Sequence, residues 1–227
     1  MEIATHIEAL RQEGERMTAA ARGVAPDALV PSCPEWVARD LIRHLGGVHR
    51  WATGYVAEAR REVRPEGLEE VVGRWPDDDE LVDWFEAGYL ALVGALEAAP
   101  SDLQCWTFLQ APSPLAMWSR RQAHETAIHR VDTELAAGRR VHDLAAFAPA
   151  FAADGIDELL SCFVPLRASA LRAEEPASLG FACTDEDAAW TLVIGPHGVT
   201  VHEGWETETG TGAVRARCTV RGAASDV

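Results

Sequence analysis

One uninterrupted segment, residues 117–137 (MWSRRQAHETAIHRVDTELAA), constrains the fold more than any other part of the chain. It contains no Pro or Gly, so we predict a single helix that ends at Gly138. Glu125 and His129 are four residues apart and therefore lie one turn above each other on one face. The same sector of the helix contains Trp118, Arg121, Ile128 and Asp132. A Glu and a His on a buried face are costly unless they are paired, hydrogen-bonded or bound to a metal ion.

Three further segments repeat apolar residues at helical spacing. Residues 2–22 are predicted as the first helix and residues 80–99 as the third. Ser32 and Glu35 fit a capping box, which predicts that the second helix starts there and runs to residue 62. Four helices of about 20 residues joined by loops are typical of a bundle in which sites form between facing helices.

The pattern changes after residue 140. Residues 143–163 are predicted as a fifth helix, and four segments are predicted as short strands: LGFACTD, AWTLVIG, GVTVHEG and VRARCTVRG. We therefore expect an α+β fold with a four-helix bundle over residues 1–140 and a small α+β domain over residues 141–227.

Composition excludes several classes of function. The formal net charge of −16 disfavours binding to nucleic acid and to anionic membranes. The five cysteines are scattered singly without a CxxC spacing, which argues against a disulfide framework and a cysteine zinc site. No apolar run approaches membrane length, so we expect a cytoplasmic protein.

The second predicted helix carries two histidines on different faces. Its apolar stripe includes His44, whereas His49 lies about 140° away, where the pattern favours a solvated helix edge. Gly46 and Gly47 are unfavourable inside a helix and indicate that another backbone approaches closely beside His44.

A candidate metal site follows from these positions. His44 from the second helix, with Glu125 and His129 from the fourth, offers two imidazoles and a carboxylate, which suit zinc or another divalent transition ion. Three protein ligands leave a position open for water or substrate, the pattern of catalytic sites. Asp132 lies one turn beyond His129 and is a candidate to orient a ligand. His124 points elsewhere and is excluded.

Alternatives without a metal ion remain open at this point. Glu125 and His129 also fit a metal-free core in which they pair with Arg121 and with each other, and E-x-x-x-H occurs on many helices by chance. The pair Trp51 and Trp118 is interpreted as core packing. Cys33 is placed at a helix start and is interpreted as structural.

Two longer motifs carry a resemblance to a known family. SCPEWVARDLIRHLGGVHRWA, followed about 70 residues later by MWSRRQAHETAIHRVDTE, resembles the mycothiol-dependent maleylpyruvate isomerase family within the DinB-like metal-binding bundle superfamily. The resemblance covers nearly the whole chain. It implies metal ligands at His44, Glu125 and His129, with Asp132 and Arg121 as supporting residues around them. It also fits the Ala-rich composition with Arg as the only basic residue apart from His, since members come from actinobacteria.

The resemblance implies a function as well. It predicts an enzyme with a divalent metal ion, most simply zinc, and with mycothiol as cosubstrate, in which a metal-bound thiolate attacks a small electrophile in a cis–trans isomerisation or an S-transfer. The alternative is a non-catalytic DinB-like stress or binding protein that keeps the metal. Family chains continue past an ASD-like motif into a C-terminal helix with a basic residue, whereas this sequence ends at GAASDV. A truncated C-terminal domain is therefore one interpretation, and no role of that helix is carried over.

Overall fold

The chain divides into two compact units, Glu2–Leu144 and a second unit formed by Met1 with Ala145–Val227. The structure is a computed structural model that describes residues 1–63, 65, 67–167, 170–204, 208–209, 212–213 and 216–227. A helical N-terminal region is followed along the chain by small sheets, which confirms the predicted α+β class. The exact domain limits of 1–140 and 141–227 remain a prediction.

The described residues of the N-terminal unit form four long α-helices and one short α-helix. These are α1 (Ile3–Arg22), α2 (Ala38–Ala57), α3 (Leu68–Val72), α4 (Leu81–Ala98) and α5 (Pro114–Ala136). Helices α1 and α2 each pack against both α4 and α5, so α5 has α1 on one side and α2 on the other. Among the described residues, no helix combines the length and the apolar character needed to cross a membrane.

The predicted start of the second helix is wrong. Cys33–Val37 forms strand β2, which pairs antiparallel with β1 (Leu29–Val30), and α2 begins only at Ala38. The hydroxyl of Ser32 does not cap a helix but donates to Asp132 on α5. The carboxylate of Asp40 instead accepts a hydrogen bond from the backbone N–H of Val37 at 3.1 Å, which satisfies one of the free donors at the helix start.

The close approach at the α2 glycines is made by side chains rather than by a backbone. A Cβ atom on Gly46 would lie 2.2 Å from the indole of Trp84 on α4, and one on Gly47 would lie 3.2 Å from Trp75. The guanidinium carbon of Arg50 lies 3.7 Å from the centre of the Trp84 ring and keeps this indole in place. Gly46 therefore allows α4 to pack tightly against the turn that carries His44.

Helix α5 begins with a regular cap and then buries an unusual polar stripe. Ser113 accepts a hydrogen bond from the backbone N–H of Ala116 at 3.1 Å, and Pro114 occupies the first turn. The buried positions along the helix include Ser119, Gln122, Thr126, Arg130 and Thr133. The three hydroxyl groups donate to carbonyl oxygens one turn earlier in the same helix, so their burial does not leave their O–H groups unsatisfied.

A buried ionic network fastens α1 to α5. Arg130 is fully buried, and its Nε donates to Glu13 on α1 at 2.9 Å while its Nη1 donates to Glu134 at 3.2 Å. Arg16 donates to the other oxygen of Glu13 at 2.6 Å. Because both carboxylates are buried with the guanidinium, each charge depends on its partner.

The C-terminal unit combines a short helical segment with a four-stranded sheet. Its elements are α6 (Pro149–Asp157), a π-helical turn (Glu158–Phe163), α7 (Val164–Leu166), β3 (Ala177–Cys183), β4 (Ala189–Gly195), β5 (Gly198–Glu203), β6 (Glu208–Thr209), β7 (Gly212–Ala213) and β8 (Cys218–Gly222). The sheet order is β5-β4-β3-β8, in which β3 and β8 are parallel while β5 with β4 and β4 with β3 are antiparallel. The fifth helix starts later than predicted because Pro149 restricts Ala148, whose φ of −59° and ψ of 135° are not helical. Residues 214–215 of the predicted fourth strand lie outside the described residues.

Replacing Arg130 tests the ionic network. We expect Arg130→Ala to lower the free energy of unfolding by about 3 kcal/mol. It removes the buried cation between Glu13 and Glu134, although Arg16 and Arg139 still pair with the outer oxygens of these carboxylates. Arg11→Ala is the matched control, since Arg11 pairs with Glu97 at 2.6 Å on the surface, where a lost pair costs below about 1 kcal/mol. Denaturant unfolding of both variants gives the comparison. Equal, small losses in both would show that the network does not stabilise the bundle.

Candidate metal centre

Three side chains from two adjacent helices converge at one point of the bundle. The ligand atoms of His44 on α2 and of Glu125 and His129 on α5 all lie within 4.8 Å of one another. Nε2 of His129 is 3.3 Å from Oε1 of Glu125, and Nε2 of His44 is 3.5 Å from the same oxygen. The two imidazole rings stand nearly perpendicular, with centroids 5.5 Å apart. The structure thus brings together the three residues selected from the sequence.

Helix geometry explains the convergence. Glu125 and His129 are one turn apart on α5, so they present their side chains on the same face. Trp51, two turns after His44 on α2, packs against Trp118, two turns before Glu125 on α5. Their ring centroids are 5.2 Å apart. Helices α2 and α5 therefore run in opposite directions, and the pairing that joins Trp51 to Trp118 also sets His44 opposite Glu125 and His129.

Other residues take up the outward-facing atoms of the α5 pair. Arg121 donates to Oε2 of Glu125 at 2.6 Å, and Nδ1 of His129 lies 2.8 Å from Oδ2 of Asp132. These contacts leave Oε1 of Glu125 and Nε2 of His129 directed at each other and at Nε2 of His44. Two imidazole nitrogens and one carboxylate oxygen facing a common space are a donor set that fits a divalent transition ion.

The electrostatics of the cluster favour ionised Glu125 and protonated His129 when no metal ion is bound. Burial would raise the pKa of Glu125, but the hydrogen bonds with His129 and His44 and the charge of Arg121 outweigh it and hold this pKa well below its usual range. Burial would lower the pKa of His129, whereas its hydrogen bonds to Asp132 and Glu125 raise it to about 9. A metal ion bound by Nε2 of His129 would take the lone pair that holds the proton, so metal binding and protonation of this nitrogen exclude each other.

Access to the cluster is from the side of His44. The exposed fraction of the side chain falls from 31% for His44 to 21% for Glu125 and 14% for His129. The indole of Trp36, from strand β2, packs against the His44 ring with a centroid distance of 4.9 Å. A small molecule that reached the cluster would therefore approach past His44 and Trp36.

The structure corrects the interpretation of His49. Its side chain is fully buried rather than solvated, because α2 packs on two neighbours and the face of His49 meets both Phe85 on α4 and Thr126 on α5. The hydroxyl of Thr126 donates to the carbonyl of Gln122, so it accepts from Nε2 of His49 at 2.9 Å. Burial lowers the pKa of His49 to about 3, which keeps the ring neutral.

Other predictions near the cluster have mixed outcomes. His124 faces away and packs against His6, with ring centroids 6.0 Å apart, in agreement with its exclusion. Ile128 does not share the buried face, since half of its surface is exposed. Cys33 lies at the start of a strand rather than of a helix.

Sequence reasoning missed the contributions of Ser32 and Trp36. Both lie in the segment that was assigned to a loop and a helix start. The aromatic and β-branched pair Trp36 and Val37 is the local signal that favours a strand there, and Pro34 is tolerated because β2 is an edge strand.

Comparison with known proteins adds a family match. A protein-family model described as the mycothiol maleylpyruvate isomerase N-terminal domain matches residues 7–134, more than half of the 227-residue chain. The matched range contains all three clustered residues together with Arg121 and Asp132. No curated protein and no solved structure gave a significant match.

The burial of His49 predicts a specific loss of stability in acid. As the pH falls below about 6.5, the imidazole in the unfolded chain takes up a proton, while the folded ring stays neutral down to about pH 3. Stability from this residue is therefore present above pH 6.5 and lost on acidification. We expect wild type to lose about 2 kcal/mol more than His49→Gln between pH 8 and pH 5. Denaturant unfolding at both pH values measures the difference, and parallel losses in the two proteins would contradict it.

Proposed function

Because the chain belongs to the mycothiol maleylpyruvate isomerase N-terminal domain family, we propose that it is a metal-dependent enzyme that uses a low-molecular-weight thiol, mycothiol, against an electrophilic substrate. The family membership predicted from the two motifs is confirmed. The observation that carries the proposal is the convergence of Oε1 of Glu125 with the Nε2 atoms of His44 and His129. Neither of the two reactions considered, isomerisation and S-transfer, is singled out by this geometry.

The proposed ligands are His44, Glu125 and His129, and zinc is the ion that suits them best. A divalent ion bound by three protein ligands would lower the pKa of a coordinated thiol from about 8.5 and so favour the nucleophilic thiolate.

The chain's own residues prepare the site in three ways. Arg121 fixes one oxygen of Glu125 and balances its charge, while the other oxygen faces His44 and His129. Asp132 accepts a hydrogen bond from Nδ1 of His129, so the Nε2 lone pair of the neutral ring is presented to the cluster. His44, the most exposed of the three, borders the side from which a thiol and its substrate approach.

The two candidate reactions differ in the fate of the thiol. In an isomerisation, the thiolate adds to a conjugated double bond, the resulting single bond rotates, and the thiolate leaves unchanged. In an S-transfer, the thiolate displaces a leaving group or opens an epoxide, and the sulfur stays on the product. Consumption of the thiol therefore separates the two.

Metal analysis of purified variants tests the site. We expect about one equivalent of divalent metal in wild type and its loss in two variants. His44→Ala removes an imidazole nitrogen, and Glu125→Gln replaces an anionic carboxylate oxygen with a weaker, neutral amide oxygen. His142→Ala is the matched control, since His142 is exposed and lies outside the cluster. Metal-free wild-type protein that also fails to take up zinc would favour the ionic pairing of Arg121, Glu125 and His129 without a metal ion.

Activity assays with the metal-loaded protein test the reaction class. We expect mycothiol with maleylpyruvate, or with a panel of epoxides and alkyl halides, to give turnover that is lost in His44→Ala and kept in His142→Ala. Ultraviolet absorbance follows the isomerisation, and a free-thiol assay follows consumption of mycothiol. A metal-loaded protein that turns over none of these substrates would favour a non-catalytic binding protein.

A further inference from the structure

The β1–β2 hairpin, Leu29–Val37, is outside the four-helix framework but packs on the two helices that carry the cluster. Leu29 pairs with Val37 and Val30 pairs with Cys33, which closes a tight antiparallel turn. Strand β1 contacts both α5 and α2, and β2 contacts α2. The side chain of Val30 is fully buried and anchors the hairpin. The hairpin thus has a defined position against both helices.

One contact from the hairpin reaches His129 through Asp132. The hydroxyl of Ser32 donates to Oδ1 of Asp132, while Oδ2 of the same carboxylate lies 2.8 Å from Nδ1 of His129. A carboxylate held at both oxygens has little freedom to rotate. The orientation of the His129 ring therefore depends on the hydroxyl of Ser32 as well as on Asp132.

A second, independent contact from the hairpin reaches His44. The indole of Trp36 packs against the His44 imidazole at a centroid distance of 4.9 Å and an interplanar angle of 52°. His44 is the most exposed of the three clustered side chains and has no counterpart of the Asp132 contact among the described hydrogen bonds. The packing of Trp36 is therefore the contact that restricts its ring on the accessible side.

We propose that the hairpin positions both histidines of the cluster for metal binding, His129 through Ser32 and Asp132, and His44 through Trp36. The inference rests on the proposed function in that it takes the cluster to be a metal site. The bundle sets the distance between α2 and α5, whereas the hairpin sets the orientation of the two rings. Ser32 and Trp36 are thus positioning residues and do not contact the metal ion themselves.

Cobalt titration of hairpin variants tests this role. We expect Ser32→Ala and Trp36→Leu each to weaken cobalt binding by about tenfold, at the lower end of the range for residues that orient metal ligands, and to change the visible spectrum of the bound ion. Ser32→Thr keeps the hydroxyl and Trp36→Phe keeps an aromatic ring, so both are expected to restore most of the affinity. Leu29→Ala is the control, because this side chain is in the same hairpin and is 70% exposed.

The outcomes separate the inference from its premise. Wild type that binds cobalt, with unchanged affinity and spectrum in Ser32→Ala and Trp36→Leu, would overturn the positioning role and leave the metal site intact. A fall in melting temperature in these two variants without any change at the cobalt ion would show that the hairpin acts only on stability. Wild type that does not bind cobalt would overturn both the metal site and the role of the hairpin.

Discussion

The carboxylate of Glu125 is the group on which the candidate site depends. It is largely buried, and an ionised carboxylate in that position requires cationic or hydrogen-bonding partners at both oxygens. Arg121, one turn earlier on α5, supplies the partner for Oε2, and the two histidines face Oε1. His44 comes from α2. The buried charge of Glu125 therefore depends on the packing of α2 against α5.

Helix α5 serves two interfaces with two different ionic groups. Toward α1 it presents Arg130, clamped between Glu13 and Glu134, and toward α2 it presents Glu125 and His129. A helix that presents charges to two neighbours lacks a continuous apolar stripe. The buried hydroxyl groups of α5 donate hydrogen bonds to carbonyl oxygens of the same helix. The polar residues that are unusual in the sequence of α5 therefore belong to two interfaces, one with α1 and one with α2.

Sequence reasoning succeeded where the deciding interactions are local. The spacing of Glu125 and His129 fixes their common face, and the absence of Pro and Gly fixes the helix that carries them. It failed where the outcome depends on a second neighbour. A helical projection of α2 assigns one buried face, but α2 packs on both α4 and α5, so the face of His49 is buried too.

The predicted start of α2 was wrong for a related reason. Ser32 and Glu35 satisfy the spacing of a capping box, yet the hydroxyl of Ser32 is engaged by Asp132, a residue 100 positions away on α5. Local capping offers about 1 kcal/mol, which a charge-assisted hydrogen bond combined with strand pairing can exceed. No local sequence pattern identifies Asp132 as the partner of Ser32. The contacts of Ser32 and Trp36 with the site are therefore found only in the three-dimensional structure.

The charges around the cluster connect the two possible states of the site. Without a metal ion, the negative charges of Glu125 and Asp132 are balanced by Arg121 and by the proton on His129. Exchange of that proton for a divalent cation would leave one positive charge in excess in a partly buried space. An anionic ligand on the accessible side of His44 would restore the balance, and a thiolate has the required charge. If a metal ion binds as we propose, the residues that stabilise the metal-free pairing would therefore favour an anionic ligand, such as the thiolate of the proposed reaction.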